Sequence, residues 1–140
     1  LFFVYSALAL AKRIVTVDKI LVYYRVGMDN NLQATKKRSP LCFIEAYKAW
    51  HDILVSSGRL ETLRQSYVNA ALGGCLHNIR SVSDPDAKKA VFEKLKNETF
   101  AMLELTDHGR GYYYNKQNYE EMILIQNSSF EQYVEEIQNR

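Results

Sequence analysis

The side chains that most often carry chemistry in proteins are scattered along this chain. Its histidines are His51, His77 and His108, and its cysteines are Cys42 and Cys75. A metal site or a nucleophile–base pair needs such groups at spacings that bring them together. Cys75 and His77 are two residues apart, which on a helix points them to different faces. We therefore predict no metal site and no catalytic residue in this chain. With no C-x-x-C motif, we also predict reduced cysteines without a disulfide.

Three other patterns that can mark a site have a simpler structural interpretation. His51 and Asp52 are sequence neighbours, and neighbours on a helix do not face each other. Gly73-Gly74 lacks the Lys-Ser/Thr of a phosphate loop, so we expect either close approach of a neighbouring helix or a kink there. The triplet at residues 112–114 could stack on a sugar or base, but a loop that packs its aromatic rings inward is favoured.

The net charge of +2 is too small to indicate nucleic-acid binding, but its distribution is uneven. Residues 12–38 contain seven basic side chains and only two acidic ones. A solvated surface is the ordinary explanation of such a stretch. The alternative is a surface that meets phosphate, in a nucleotide diphosphate or a lipid head group.

Most of the chain has the periodicity of helices, and Gly and Pro are scarce. Apolar residues recur at spacings of three and four in six segments. The predicted helices cover residues 1–12, 39–56, 59–82, 85–103 and 116–126, and a terminal helix after residue 128. N-caps are predicted at Ser39, before Pro40, at Asp84, before Pro85, and at Ser128, in an S-x-x-E capping box.

One stretch has the composition of strands instead. Residues 14–17 are β-branched, Asp18-Lys19 can form a turn, and residues 20–26 form a second apolar run. This pattern predicts a hairpin, followed by a polar loop over residues 27–38. The predicted fold class is therefore mainly α, a helical bundle of about five to six helices with a short N-terminal β-hairpin.

The same stretch resembles a known family. An apolar helix (LFFVYSALALAKR) is followed by IVTVD, by KILVYYRVG and by a polar loop that contains NNLQ. This order is similar to the end of the catalytic domain of bacterial family 2 glycosyltransferases, of the GT-A type. Leu21, Tyr23, Tyr24 and Arg25 match the Leu-x-Tyr-Tyr-Arg segment of that family. The resemblance covers residues 1–38, and residues 39–140 look like the helical C-terminal extension of some members.

The resemblance implies an enzyme whose chemistry lies upstream of this chain. In the family an Asp-x-Asp motif binds a divalent metal, Mg or Mn, and the Asp of a Glu-Asp pair is the general base. Both should precede Leu1, so the chain is expected to be a fragment without transferase activity of its own. Its apolar first residues, without an N-cap, suggest the same. That run of 11 residues is too short to span a bilayer.

The resemblance also implies which residues of this chain lie near the substrates. The segment after Tyr-Tyr-Arg tends to fold near the donor diphosphate or the acceptor. It makes Arg25, Asn30, Asn31, Gln33 and Lys36 candidate substrate-binding residues. A guanidinium or ammonium group suits phosphate. For Arg25 the competing interpretation is a simple ion pair with a carboxylate beside the hairpin.

Several partners and alternatives follow. The expected partners are the chain's own upstream catalytic domain and, for the whole protein, a nucleotide-sugar and a glycan or lipid-linked acceptor. Nucleic acid is not expected, and the first helix could form a homodimer. The expected location is the cytoplasm, with the inner face of the membrane as an alternative. Two alternatives remain: a non-enzymatic helical interaction domain, and a peripheral membrane module that uses the basic residues 36–38.

Overall fold

A computed structural model describes residues 2–23 and 39–139 of the chain. These residues are mainly helical, as predicted. The helices are α1 (Phe2–Leu10), α2 (Cys42–Ser56), α3 (Leu60–Ser81), α4 (Pro85–Lys94), a π-helical turn (Leu95–Thr99), α5 (Phe100–Met102), a 3-10 turn (Arg110–Tyr112), α6 (Lys116–Asn127) and α7 (Phe130–Gln138). Six of the α-helices have nine or more residues, in agreement with the predicted helical bundle.

The longest helix, α3, is the centre of the bundle. It contacts α2 on one side and α4 and α6 on others. Its predicted stripe is buried at Leu60, Tyr67, Ala71, Cys75 and Ile79 and partly buried at Leu63. The turn before it uses Gly58 at a φ of +68°, a conformation that glycine adopts without steric cost. α2 and α3 therefore form the expected antiparallel pair.

A close approach explains one of the two glycines inside α3. A Cβ on Gly74 would lie 1.6 Å from the hydroxyl oxygen of Tyr47 in α2, whereas a Cβ on Gly73 would meet only Asn118 at 3.5 Å. Gly74 thus forms a notch that receives the buried Tyr47 ring. The predicted close approach is confirmed at Gly74, and it is made by a side chain of the neighbouring helix.

The helix predicted from Pro85 continues to Met102 through the π-helical turn. The Asp84 carboxylate accepts from the backbone N–H of Ala87 at 2.9 Å, which confirms this N-cap. Inside the π-helical turn, the buried Thr99 hydroxyl donates to the Lys94 carbonyl oxygen at 3.0 Å. That bond satisfies both polar groups where the regular i to i−4 pattern is interrupted.

The segment between α5 and α6 is a loop, as predicted, and two of its three tyrosines pack inward. Tyr113 is buried and donates to the Leu105 carbonyl oxygen at 2.6 Å, while Tyr112 is half-buried and stacks on His108. Tyr114 stays 66% exposed. Side-chain amides of α3 hold the loop, because Gln65 and Asn69 both donate to the Tyr112 carbonyl oxygen.

Two predicted N-caps are wrong by one or two residues. The α7 capping box uses Ser129 and Gln132, because the Ser128 hydroxyl instead donates to the Leu124 carbonyl oxygen at the end of α6. At α2 the N-cap is Leu41 and no side chain caps the helix. Ser39 lies in the preceding turn, where its carbonyl oxygen accepts from the Cys42 N–H at 3.3 Å.

The predicted β-hairpin is wrong for the described residues. Neither residues 14–17 nor residues 20–23 form a strand, and nothing in residues 2–23 and 39–139 is assigned to a sheet. The physical reason is that no helix of the bundle covers the segment, since every residue from 12 to 23 is exposed. A two-stranded hairpin without a packed face is marginal in water. Residues 24–26 and the predicted loop at 27–38 lie outside the described residues.

Candidate interaction surface

The most unusual surface of the described residues is apolar and lies at the N-terminal end. The outer side of α1 exposes Phe3, Val4, Leu8 and Leu10 by 46–79%. The segment after α1 exposes seven more large apolar side chains by 58–87%. These are Ile14, Val15, Val17, Ile20, Leu21, Val22 and Tyr23. We call these eleven residues the N-terminal apolar surface. Contiguous exposure of this kind marks a contact site for another molecule.

Aromatic stacking places α1 on the bundle. The ring of Tyr5 stacks on that of Trp50 in α2, with centroids 4.4 Å apart and planes 18° apart. Ser6 and Ala9 are the buried residues on the same side of the helix. Trp50 in turn meets Tyr67 of α3 edge-on at 4.9 Å. Three aromatic rings from three helices therefore fix one side of α1 and leave the opposite side facing solvent.

Exposed charges accompany this surface. Lys12, Arg13 and Lys19 carry positive charge and Asp18 carries negative charge, and all four side chains are exposed. The described part of the basic stretch, residues 12–23, is thus at the surface and next to the apolar side chains. The five predicted substrate-binding residues, Arg25, Asn30, Asn31, Gln33 and Lys36, lie outside the described residues. Their role stays a prediction.

A polar cluster joins α2, α3 and the turn after α5. The Arg64 guanidinium forms ion pairs with Glu104 and with Glu61, and Nε2 of His51 lies 3.6 Å from Oε1 of Glu104. Glu104 has a φ of +54°, a left-handed conformation that costs about 1–3 kcal/mol for a residue other than glycine. These contacts hold the turn after α5 against the α2–α3 pair.

Asp52 lies at the edge of the same cluster. Its Oδ1 is 3.8 Å from Nδ1 of His51, which is beyond hydrogen-bonding distance, and its Oδ2 accepts from Lys48 at 2.7 Å. Lys48 holds the pKa of the Asp52 carboxyl below its usual value through this hydrogen bond. His51 and Asp52 thus lie within ion-pair distance, closer than the prediction that neighbours on a helix do not face each other would suggest.

A second polar cluster ties α3, α6 and α7 together around a buried carboxylate. The Glu121 side chain is only 4% exposed. It accepts from Nε of Arg80 at 3.0 Å, also pairs with Nη2 of Arg80, and accepts from the Tyr133 hydroxyl at 3.0 Å. Arg80 also donates to Asn118 at 3.3 Å. Because these donors come from different helices, the buried Glu121 carboxylate connects α3, α6 and α7.

Burial keeps several ionisable groups in their neutral forms. Burial raises the pKa of the Cys75 thiol to about 12, and burial raises the pKa of Tyr113 to about 12, helped by Tyr119. Burial likewise raises the pKa of Tyr47 and of Tyr67. A thiol reacts as its thiolate. Cys75 is therefore an inert core residue at neutral pH.

The described residues offer no ready set of metal ligands. No three His, Cys, Asp or Glu side chains within residues 2–23 and 39–139 come together to hold an ion. Cys75 is buried while His77 is exposed, which agrees with their predicted placement on different faces. Cys42 and Cys75 are both free, with Cys42 exposed. The divalent metal that the resemblance implies for the whole enzyme thus finds no donor cluster in these residues.

Sequence reasoning missed both carboxylates at the centres of the polar clusters. Glu121 gives a weak signal, because it lies beside Met122 and one turn before Ile125 in the apolar stripe of α6. A charge at that position has to be paired if the stripe is buried. Glu104 gives no signal, since its conformation depends on how α5 ends and on contacts with residues 40 or more positions away.

Within the part of the chain that the structure describes, no helix has the length and apolar content to cross a bilayer. Comparisons with protein-family models, with curated proteins and with solved structures gave no match to this chain.

Proposed function

We propose that this chain is the C-terminal portion of a family 2 glycosyltransferase. The whole protein transfers a sugar from a nucleotide-sugar donor to a glycan or lipid-linked acceptor, in the cytoplasm near the membrane. In this proposal the helices from α2 to α7 brace the catalytic domain or recognise the acceptor. The chain itself carries no transferase activity.

The observation that carries the proposal is the N-terminal apolar surface. Its residues, from Phe3 to Tyr23, fall within the stretch that resembles the end of the family's catalytic domain. A domain boundary in water is polar, whereas a surface that continues into another part of the same protein is apolar. Eleven exposed large apolar side chains are what is expected if the catalytic domain covers this face.

The polar clusters support the bracing role. The cluster around Glu121 connects three helices, and the one around Glu104 connects α2, α3 and the turn after α5. These short contacts tie elements far apart in sequence into one body. A rigid helical body attached to a catalytic domain can fix an acceptor relative to the donor.

The sequence upstream of Leu1 in the gene tests the proposal directly. We expect a Glu-Asp pair a few residues before Leu1 and an Asp-x-Asp motif roughly a hundred residues earlier, where they supply the base and the metal ligands. An upstream sequence without both motifs refutes the assignment. Transfer of sugar by the purified 140-residue chain, from any of a panel of UDP-, GDP- and dTDP-sugars, contradicts the proposed division of labour.

A titration of the full-length protein tests the predicted substrate-binding residues. We expect Arg25→Ala to weaken donor binding about tenfold, because a guanidinium–diphosphate pair contributes about 1.4 kcal/mol or more. Arg13→Ala is the matched control, since Arg13 is exposed in the same basic stretch but precedes the matched segment. Equal donor affinity for both variants removes Arg25 from the site.

A non-enzymatic interaction domain is the second candidate function. The same apolar surface favours it, because it would suit a separate protein partner as well as a covalently attached domain. The upstream sequence separates the two candidates. An interaction domain needs neither the Glu-Asp pair nor the Asp-x-Asp motif.

A further inference from the structure

The contact between α1 and the bundle buries few side chains. On the side that faces α2, Tyr5 stacks on Trp50, and Ser6 and Ala9 are buried. The remaining described side chains of α1 are exposed. By contrast, α3 buries eight residues along its length. Since apolar area removed from water is the main stabilising term, α1 is held far more weakly than the central helix.

The same contact is also incompletely packed. A groove of about 210 Å³ stays open between α1 and α3, with Trp50 between them. Nε1 of Trp50 and the hydroxyl oxygen of Tyr67, both on residues that line the groove, are buried and have no hydrogen-bond partner among the described residues. The same holds for Oγ of Ser6 in α1. Open space forfeits dispersion contacts, and an unpaired buried donor bears a desolvation cost. Both effects favour release of α1.

The connection to the rest of the chain allows such release. Residues 11–41 separate α1 from α2, and of these residues 12–23 are exposed without regular secondary structure. Among the described residues, no backbone hydrogen bond joins residues 2–23 to the bundle, and the Ala11 N–H donates to the Ala7 carbonyl oxygen at the end of α1 itself. Detachment of α1 therefore breaks no helix of the bundle.

We infer that α1 is a helical strap that opens separately from the bundle. In the closed state it lies on Trp50, as in this structure. In the open state it uncovers an apolar strip on α2 and α3, formed by Trp50, Leu63, Tyr67 and Ala70. That strip can accept a helix. In the closed state the helix it binds is α1, which contacts it with the aromatic ring of Tyr5 and the small side chain of Ala9. This inference rests on the α1 contact and is independent of the proposed function.

Hydrogen exchange of the intact chain at neutral pH tests the strap. The matched control is α7, which also has nine residues but is held by a side-chain hydrogen bond from Tyr133 to the buried Glu121 and by a capping box at its N-terminus. We expect the hydrogen-bonded amides of α1 to exchange at least about tenfold faster than those of α7 and far faster than the central amides of α3. Equal protection in α1 and α7 overturns the inference.

Fluorescence of Trp50, the single tryptophan, gives a second readout. Tyr5→Ala removes the stacked ring, so we expect acrylamide quenching of Trp50 to rise about threefold while the helical circular dichroism of the bundle is kept. Phe3→Ala is the control, because Phe3 is an aromatic residue of α1 that is 79% exposed, and its quenching should match wild type. Unchanged quenching in Tyr5→Ala shows that α1 does not gate Trp50 and overturns the inference.

Discussion

Residues 2–23 are richer in large apolar side chains than residues 39–139, yet nearly all of theirs are exposed, whereas the bundle buries most of its own. In the bundle, side chains such as Leu54, Val68 and Phe92 are completely buried. In residues 2–23, Ala9 is the one apolar residue that the described part of the core contains. The bundle also satisfies its buried carboxylate, Glu121, with three donor groups. Among the described residues, the buried hydroxyl groups of Tyr67 in the bundle and of Ser6 in α1 both have no hydrogen-bond partner.

The difference shows that apolar content does not by itself determine burial. α2 and α6 each carry polar or charged residues on one side and apolar residues on the other, so one side packs inward and the other meets water. α1 is apolar on nearly every side, and residues 14–23 are apolar without a partner. A segment that is apolar on nearly every side needs another surface to cover the sides that the bundle leaves exposed. This contrast is the physical basis for assigning residues 2–23 to an interface.

The largest expected effect comes from the buried carboxylate of the bundle. We expect Glu121→Ala to lower the free energy of unfolding by about 3 kcal/mol, because it removes the acceptor of Arg80 and Tyr133. The half-exposed Arg80 side chain can regain some water, which keeps the loss at the lower end of the range for buried pairs. Urea unfolding followed by circular dichroism measures the change.

The neighbouring residue Glu120 supplies the control. Its side chain is 47% exposed and pairs with Arg110 at 2.8 Å. Glu120→Ala has the same effect on helix propensity but should cost less than about 1 kcal/mol. Similar losses for the two variants would mean that burial of Glu121 does not distinguish it, and the contrast between satisfied core and open surface would weaken.

The next effect tests how tightly α2 and α3 pack. We expect Gly74→Ala to lower the free energy of unfolding by about 2 kcal/mol, since the new methyl group overlaps the buried Tyr47 ring. Gly73→Ala should instead raise it by up to about 1 kcal/mol, because alanine favours the helix and the methyl group meets Asn118 at an ordinary distance.

A stable Gly74→Ala variant would contradict this packing. Adding Tyr47→Phe to Gly74→Ala supplies a further check, because it deletes the hydroxyl oxygen that lies closest to the new methyl group. We expect the double variant to recover part of the loss. The two variants should therefore be non-additive, as contacting residues are.

The sequence predicted the bundle better than it predicted the interface. Helical periodicity located α2, α3 and α6 because one side of each helix is buried. The apolar residues of that buried side recur at the spacing of a helix. It failed at residues 14–23, where β-branched residues indicated strands. Strand formation depends on a partner, and no described residue supplies one. The notch at Gly74 and the ion pair of the buried Glu121 carboxylate could not be predicted, because both depend on distances between helices that no local sequence pattern contains.

The smallest effect, on the two cysteines, depends on pH. Burial raises the pKa of Cys75 from its ordinary value of 9.0 to about 12. Below pH 9 the thiol is protonated in both the folded and the unfolded chain, so its contribution to stability is complete. Above pH 9 the unfolded chain loses the proton and the folded chain keeps it. Stability therefore falls as pH rises from 9 towards 12.

At pH 10 this ionisation should cost about 1 kcal/mol relative to pH 8, which urea unfolding with a reductant can measure. Cys75→Ala should lack this part of the pH dependence, while Cys42→Ala should keep it, because the Cys42 thiol is exposed. The tyrosines with raised pKa values are common to all three proteins, so their contribution cancels in the differences. If Cys75→Ala shows the wild-type pH dependence, the Cys75 thiol is not shielded from water at the centre of α3. That result would contradict the contrast between a dry bundle and an open N-terminal contact.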